Sequence, residues 1–237
     1  MTTIPFVGVT PTRTIYVSTE SGTDDGERYN SIQAAVDAAT PGTLIYIEAG
    51  TYRENVKIDR AKGGTEDAPV WLVAKDGKGT VHIDAPDASR PVIQALGVDN
   101  YVIKDLDLSG GYDGIQFSQS GRDFSNLVNN VVIEGNIIDD VVNDGIKVGQ
   151  ADNVYVGYNT ISNVINEEGI DFVAVTNAVI EHNEVSHTGS TAAGIFAKGG
   201  STNIKILDNF VHDVTGDGIS VGGENAIDVV QARLHGI

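Results

Sequence analysis

The sequence contains no cysteine, and only one tryptophan and one methionine, in 237 residues. Disulfides and thiolate metal sites are therefore excluded, and no redox compartment can be read. Aromatics are sparse at 6%, so few rings are available to stack against a sugar. Positive charge is scarce too: 15 Lys and Arg face 33 Asp and Glu, a formal net charge of −18. That balance argues against non-specific nucleic-acid binding through a basic face and against anionic membranes as partners. No apolar run approaches a membrane span, and the opening MTTIPFVGVTPTRT lacks the basic start and apolar core of a secretory signal. The excess carboxylates serve solubility, or some of them hold Ca²⁺, a hard cation suited to oxygen ligands.

What the chain does have is a repeat. One phrase is written four times, as VVIEGNIIDDVVNDGIKV (131–148), VYVGYNTISNVINEEGIDF (154–172), AVIEHNEVSHTGSTAAGIFA (178–197) and IKILDNFVHDVTGDGISV (204–221). The Gly of its Gly-Ile recurs at 145, 169, 194 and 218, in steps of 24, 25 and 24. An Asn follows the first β-branched run at 136, 159, 183 and 209, and another Asn opens each copy at 130, 153, 177 and 203. A weaker copy has Asn100 and Asp113-Gly114-Ile115, and a degenerate start follows at Asn225. Two β-rich runs per period, with no helical spacing and no fixed leucines, predict a parallel β-helix of roughly seven stacked coils. Ile115, Ile146, Ile170, Ile195 and Ile219 then form one interior row. The Asn residues stack at turns, because a buried amide needs a regular set of partners.

Before the repeats, Thr14–Ser18 reads as a strand and 21–30 as a polar loop whose Asp24, Asp25 and Glu27 are one conceivable cation site, solvated loop being the plainer reading. Asn30 or Ser31 caps an amphipathic helix carrying Ile32, Ala35, Val36 and Ala39, and Thr40-Pro41-Gly42-Thr43 ends it. Residues 14–58 are expected to form an N-terminal cap and 59–237 the coils, in a single domain. The final Arg233-Leu234-His235-Gly236-Ile237 stops on a rung-like Gly-Ile, so the chain is expected to be a fragment or to self-associate through its last coil.

The stretch IYVSTESGTDDGERYNSIQAAVDAATPGTLIYIEAGTYREN (15–55) resembles the opening of right-handed β-helix proteins that include the family 9 pectate lyases. KGGTEDAPVWLVAKDGKGTVHIDA (62–85) is similar to their following coil. The resemblance implies a right-handed, all-β solenoid with a short N-terminal helix, acting on an acidic polysaccharide. Fold alone does not settle that role.

Alternation along a strand puts the residue after each Gly-Ile outside. The outward column reads Gln116, Lys147, Asp171, Phe196, Ser220; two positions on comes Ser118, Gly149, Val173, Lys198, Gly222; the residues before Gly make an edge of Asp113, Asp144, Glu168, Ala193, Asp217. Lys147 is thus expected near Asp144, Glu168 and Asp171. Elimination on a uronic acid polymer needs these parts: a cation to neutralise the sugar carboxylate and a base to take the neighbouring C5 proton. Asn143-Asp144-Gly145-Ile146-Lys147-Val148-Gly149 resembles the segment bearing the base Lys in family 9 pectate lyases, which implies Lys147 as base. Asp144, Glu168 and Asp171 are the candidate Ca²⁺ ligands; Tyr112, Gln116, Phe196 and Lys198 are candidate substrate contacts. The plain alternative is an external Lys147–Asp171 salt bridge of little worth. A histidine–carboxylate site at His187, His212 and Asp213 is a further candidate, against turn residues as the commoner reading.

Other functions remain open: a non-catalytic carbohydrate-binding or structural module of a surface, phage or secreted protein, or a uronan C5-epimerase. The DPHE motif and GGxGxD repeats of mannuronan epimerases are absent. The resemblance implies an extracellular or cell-surface setting, reached without an N-terminal signal or as part of a larger chain.

Overall fold

The computed structural model describes residues 4–20, 26–119, 125–189 and 192–222, and the backbone of 229–234. Asp24, Asp25, Asn225, Gly236, Ile237 and part of the 118–130 loop lie outside these residues. All ladder pairings between named strands are parallel, and the chain winds as an all-β solenoid with three strand-bearing faces. The first face stacks nine strands from Arg13–Val17 and Thr43–Ile47 up to Val229–Leu234, joined by eight pairings. That is about eight turns, against the seven that the repeats suggest. The difference lies near the start, where successive first-face strands begin at 13, 43, 70 and 101 and so exceed the later spacing of about 24.

The second face runs from Gly50–Tyr52 through Ile137–Val141 and Glu184–Ser186 to the end of Thr202–His212, and the third from Val56–Asp59 through Ile115–Ser118 to Ile219–Val221. Ile146–Gly157 and Ile170–Glu181, 12 residues each, turn a corner and serve both third and first faces. Asn153 and Asn177 adopt left-handed backbone there, as do Asn100, Asn130 and Asn203 in neighbouring coils. Asparagine tolerates that region better than most residues.

One continuous apolar core fills the tube from Ile15 to Ile206. Ile115, Ile146, Ile170 and Ile195 stack in register and are fully buried; Ile219 is less covered. The Asn column behaves as expected. The side-chain oxygens of Asn159, Asn183 and Asn209 accept the backbone N–H of Asn136, Asn159 and Asn183, each at 2.9 Å. Leu106 holds the column's first place, its N–H donating to Asn136 Oδ1 at 3.0 Å. The glycines of the Gly-Ile rungs are fixed by close approach: a Cβ on Gly145 would lie 2.5 Å from the Gly169 carbonyl oxygen.

Helix Ile32–Ala38 starts at Ser31, whose hydroxyl accepts the Ala34 N–H at 3.0 Å, and buries Ile32, Ala35 and Val36. Strands inside 14–58 already stand in all three faces. No helix among the described residues is long and apolar enough to cross a membrane. On the outside of the first face, Val102, Val132, Tyr155 and Val179 form an apolar column with Phe6 and Trp71 packed on it.

Candidate functional site

The third face carries the expected outward column. Register pairs Lys57, Gln94, Gln116, Lys147, Asp171, Phe196 and Ser220 in succession. Beside it, the edge acids are tied to the stack by their own carboxylates. Asp113 Oδ1 accepts the Asp144 N–H at 3.2 Å, and Asp144 Oδ1 accepts the Glu168 N–H at 3.2 Å. Asp113 and Asp144 thereby each anchor the next coil. Asn143 Nδ2 donates to the other Asp144 oxygen at 2.9 Å and keeps that oxygen facing the column.

Lys147 Nζ contacts Asp171 Oδ2 and lies 3.1 Å from Asp144 Oδ2. It does not pair with Glu168, as proximity had suggested. A second lysine does: Lys198 Nζ is 3.0 Å from Glu168 Oε1 and 3.2 Å from Asp171 Oδ1. The plain reading of an external salt bridge also needs correction. The Asp171 side chain is 0% exposed and Lys147 28%, so these carboxylates are outward-facing yet covered by the two lysines. Surface-pair energetics do not apply to such a cluster; breaking one partner leaves a buried charge uncompensated.

The electrostatics follow. Burial raises the Asp144 carboxyl to about 7, with Asp171 and Asp113 adding to the rise and Lys147 opposing it. Burial likewise raises Asp113. At Lys147 burial favours the neutral amine, but the charges of Asp171 and Asp144 and the hydrogen bonds to them win, and its pKa rises. Lys198 is raised by the same contest.

Oxygen atoms of Asp144, Glu168 and Asp171 lie within 4.8 Å of one another. Two buried oxygens have no hydrogen bond: Glu168 Oε2, and Asp171 Oδ1, which is close to Lys198 but not aligned with it. Three carboxylates, two of them with an oxygen free of hydrogen bonds, fit a hard divalent cation in donor type. The remaining expected residues surround this cluster unevenly. Gln116 accepts from Gln94 Nε2 at 2.8 Å, and Lys198 stands 4.5 Å from the Phe196 ring centroid. Tyr112 is 39% exposed on the turn before Asp113, with no hydrogen bond, ion pair or ring contact joining its side chain to Lys147 among the described residues.

The histidine candidate resolves differently. His212 Nδ1 is 2.7 Å from Asp213 Oδ2 and its Nε2 is 3.4 Å from Glu184, while His187 meets Asp213 through its backbone N–H, which donates to the Asp213 carbonyl at 3.2 Å. His187 and Asp213 are left-handed turn residues, as are Asp140 and Asn163 in the same corner. A cavity of about 700 Å³ lies elsewhere, under the N-terminal segment between Phe6, Val7, Asn130 and Asn153. It holds one carboxylate, Glu66, and no acid–base pair.

Residues 85–234 match the family model described as the right handed beta helix region. The chain belongs to the right-handed β-helix proteins. Pectate lyase PEL9 of Emericella nidulans is 33% identical over 130 residues, which are 47% of this chain and 30% of that protein. The A-module of Azotobacter vinelandii mannuronan C-5 epimerase AlgE6 superposes with a TM-score of 0.66 at 21% identity, covering 79% of this chain and 53% of that one. Pectate lyase Pel9A gives 0.63 at 19% identity, over 93% of this chain and 62% of its own. The β-helix therefore spans less than two thirds of each of these proteins, and the two superpositions speak to fold alone.

The sequence reading missed two features of the site: the Lys198 ion pairs and the carboxylate-to-backbone links of the edge column. A signal for the second was present, since acids at 113, 144 and 168 recur one position before the rung glycine.

Proposed function

We propose that this β-helix is a lyase acting on an acidic polysaccharide laid along the third face. The observation that carries the reading is the Lys147 ammonium set between Asp144 and Asp171 on an outward column, beside three carboxylates within 4.8 Å of one another. A Ca²⁺ ion held by Asp144, Glu168 and Asp171 would neutralise the sugar carboxylate and make the adjacent C5 proton easier to remove. Lys147 is the base, which requires its ammonium first to leave Asp144 and Asp171 and lose its proton. Gln116 and Lys198 bind hydroxyl and carboxylate groups of the chain on either side, Phe196 supplies one stacking ring, and Tyr112 flanks the groove. The likeness to pectate lyase PEL9 supports the substrate class, and a polymeric substrate implies an extracellular or cell-surface setting.

The raised Lys147 pKa favours a second reading, a sugar-binding face without turnover. The test is ultraviolet absorbance of the unsaturated product during incubation with polygalacturonate and with alginate, in Ca²⁺ and in chelator. Native protein should produce a calcium-dependent rise, and Lys147→Ala should lower the rate by about 10²-fold or more. Binding without any rise supports the sugar-binding face. Inversion at C5 without chain scission would assign an epimerase.

A further inference from the structure

Asp171 has two oxygens, and each faces its own lysine: Lys147 at Oδ2, and Lys198 at Oδ1, 3.2 Å away. The lysines also divide the edge acids between them, Lys147 taking Asp144 at 3.1 Å and Lys198 taking Glu168 at 3.0 Å. They approach from opposite sides, since register puts Lys147 one coil before Asp171 and Phe196, two residues short of Lys198, one coil after it. Three buried carboxylates are thus met by two ammonium groups, the same charge that a single divalent ion would bring.

The match in charge is not a match in coordination. An ammonium has three donors and no directional demand beyond them, whereas Ca²⁺ gathers six to eight oxygens. Glu168 Oε2 and Asp171 Oδ1 are left without hydrogen bonds by the lysine arrangement. Those are the lone pairs that a cation of higher coordination number could use. Both lysine side chains are partly exposed, at 28% and 27%, so each can swing outward on its flexible stem while the carboxylates stay buried.

We propose that Lys147 and Lys198 are internal occupants of the divalent cation site, displaced together into the groove when a cation binds. The proposal rests on the cation site of the preceding section. It adds that metal loading and exposure of the two positive groups to an anionic polymer are one event. The apo cluster stays compensated, and the lysines become available to substrate only after the cation has taken their carboxylates.

Calorimetric titration of the full chain with CaCl₂ at fixed pH tests this directly. Lys147→Met and Lys198→Met keep the stem and remove the competing charge, so each should bind Ca²⁺ about tenfold or more tightly than native protein. Lys147→Arg, which keeps the charge in a fork suited to carboxylates, should bind Ca²⁺ more weakly. Amine footprinting by mass spectrometry needs no variant. Ca²⁺ should increase labelling of Lys147 and Lys198 relative to Lys104, which pairs with Glu134 on another face. Native Ca²⁺ binding with unchanged or weaker binding in the Met variants, or with unchanged labelling, would overturn the displacement and leave the cation site standing. Absence of Ca²⁺ binding in native and Met proteins alike would overturn both.

Discussion

Asn159 sits mid-column, 1% exposed, and offers the most quantitative test of the stack. Its Oδ1 accepts the Asn136 N–H at 2.9 Å and Asn136 Nδ2 at 3.0 Å. Its Nδ2 donates to the Ile133 carbonyl at 3.0 Å, the Gly157 carbonyl at 3.1 Å and Asn183 Oδ1 at 2.9 Å. Asn159→Ala removes all five contacts. The Asn136 backbone N–H is then left buried with no acceptor, and the Ile133 carbonyl loses a donor. At about 1–3 kcal/mol for each of these two groups, the loss should be about 2–6 kcal/mol. Asn159→Asp keeps the acceptor and turns the donor into a carboxylate oxygen facing Asn183 Oδ1 and two carbonyls. It should destabilise more at neutral pH and recover part of the loss in acid, where a protonated carboxyl donates one bond. Urea denaturation followed by circular dichroism gives the numbers, with Asn130→Gly as reference. Asn130 makes one-bond corner contacts with Asn100 and Asn153, and glycine accepts its left-handed backbone. A loss below about 1 kcal/mol for Asn159→Ala, or no larger than for Asn130→Gly, would refute the idea that the column holds the coils in register.

Two further outcomes bear on the site. Gly145→Ala would set a Cβ 2.5 Å from both the Gly169 carbonyl oxygen and Ile161 Cγ2, so the coils must separate; a stability loss of about 3 kcal/mol with weakened Ca²⁺ binding is expected, and near-native values would show the rung to be compliant. Asp144, raised from 3.8 to about 7 by burial, keeps a proton in the folded chain that the unfolded chain releases. Its contribution to stability therefore falls as pH rises through that window, by up to about 1.4 kcal/mol per unit. In chelator, Asp144→Asn should flatten this part of the Tm–pH curve, and an unaltered slope would show that Asp144 is ionised throughout.

Most of the fold was legible because the solenoid repeats its own physics. A step of 24 residues places Ile over Ile and Asn over Asn, so one coil read correctly gives the rest. The site was legible to the level of columns: alternation at Gly-Ile put Lys147 beside Asp171 without any knowledge of side-chain reach. Which lysine meets which acid was not, because Lys198 arrives from two residues along the next coil and its choice of Glu168 depends on rotamers. The apolar column Val102, Val132, Tyr155, Val179 was also hidden, since Phe6 covers it from a segment far away in sequence. Local pattern cannot say that an outward residue is sheltered. The first turns escaped the count for a related reason, their strands being separated by the helix and longer turns.

The third face divides labour between its two sides. Inward, the rungs are all but uniform: Val56, Ile93, Ile115, Ile146, Ile170 and Ile195 are interchangeable bricks. Outward, the same rungs display Lys57, Gln94, Gln116, Lys147, Asp171 and Phe196. A change of one outward letter alters what the face presents to solvent while the wall behind it keeps its bricks. Such a wall can be rewritten rung by rung, and each rewriting moves a functional group by one coil, about 4.8 Å, along the axis. Spacing on that scale is the consequence of stacking for whatever the face binds, and the interior need not be rebuilt when the outward letters change.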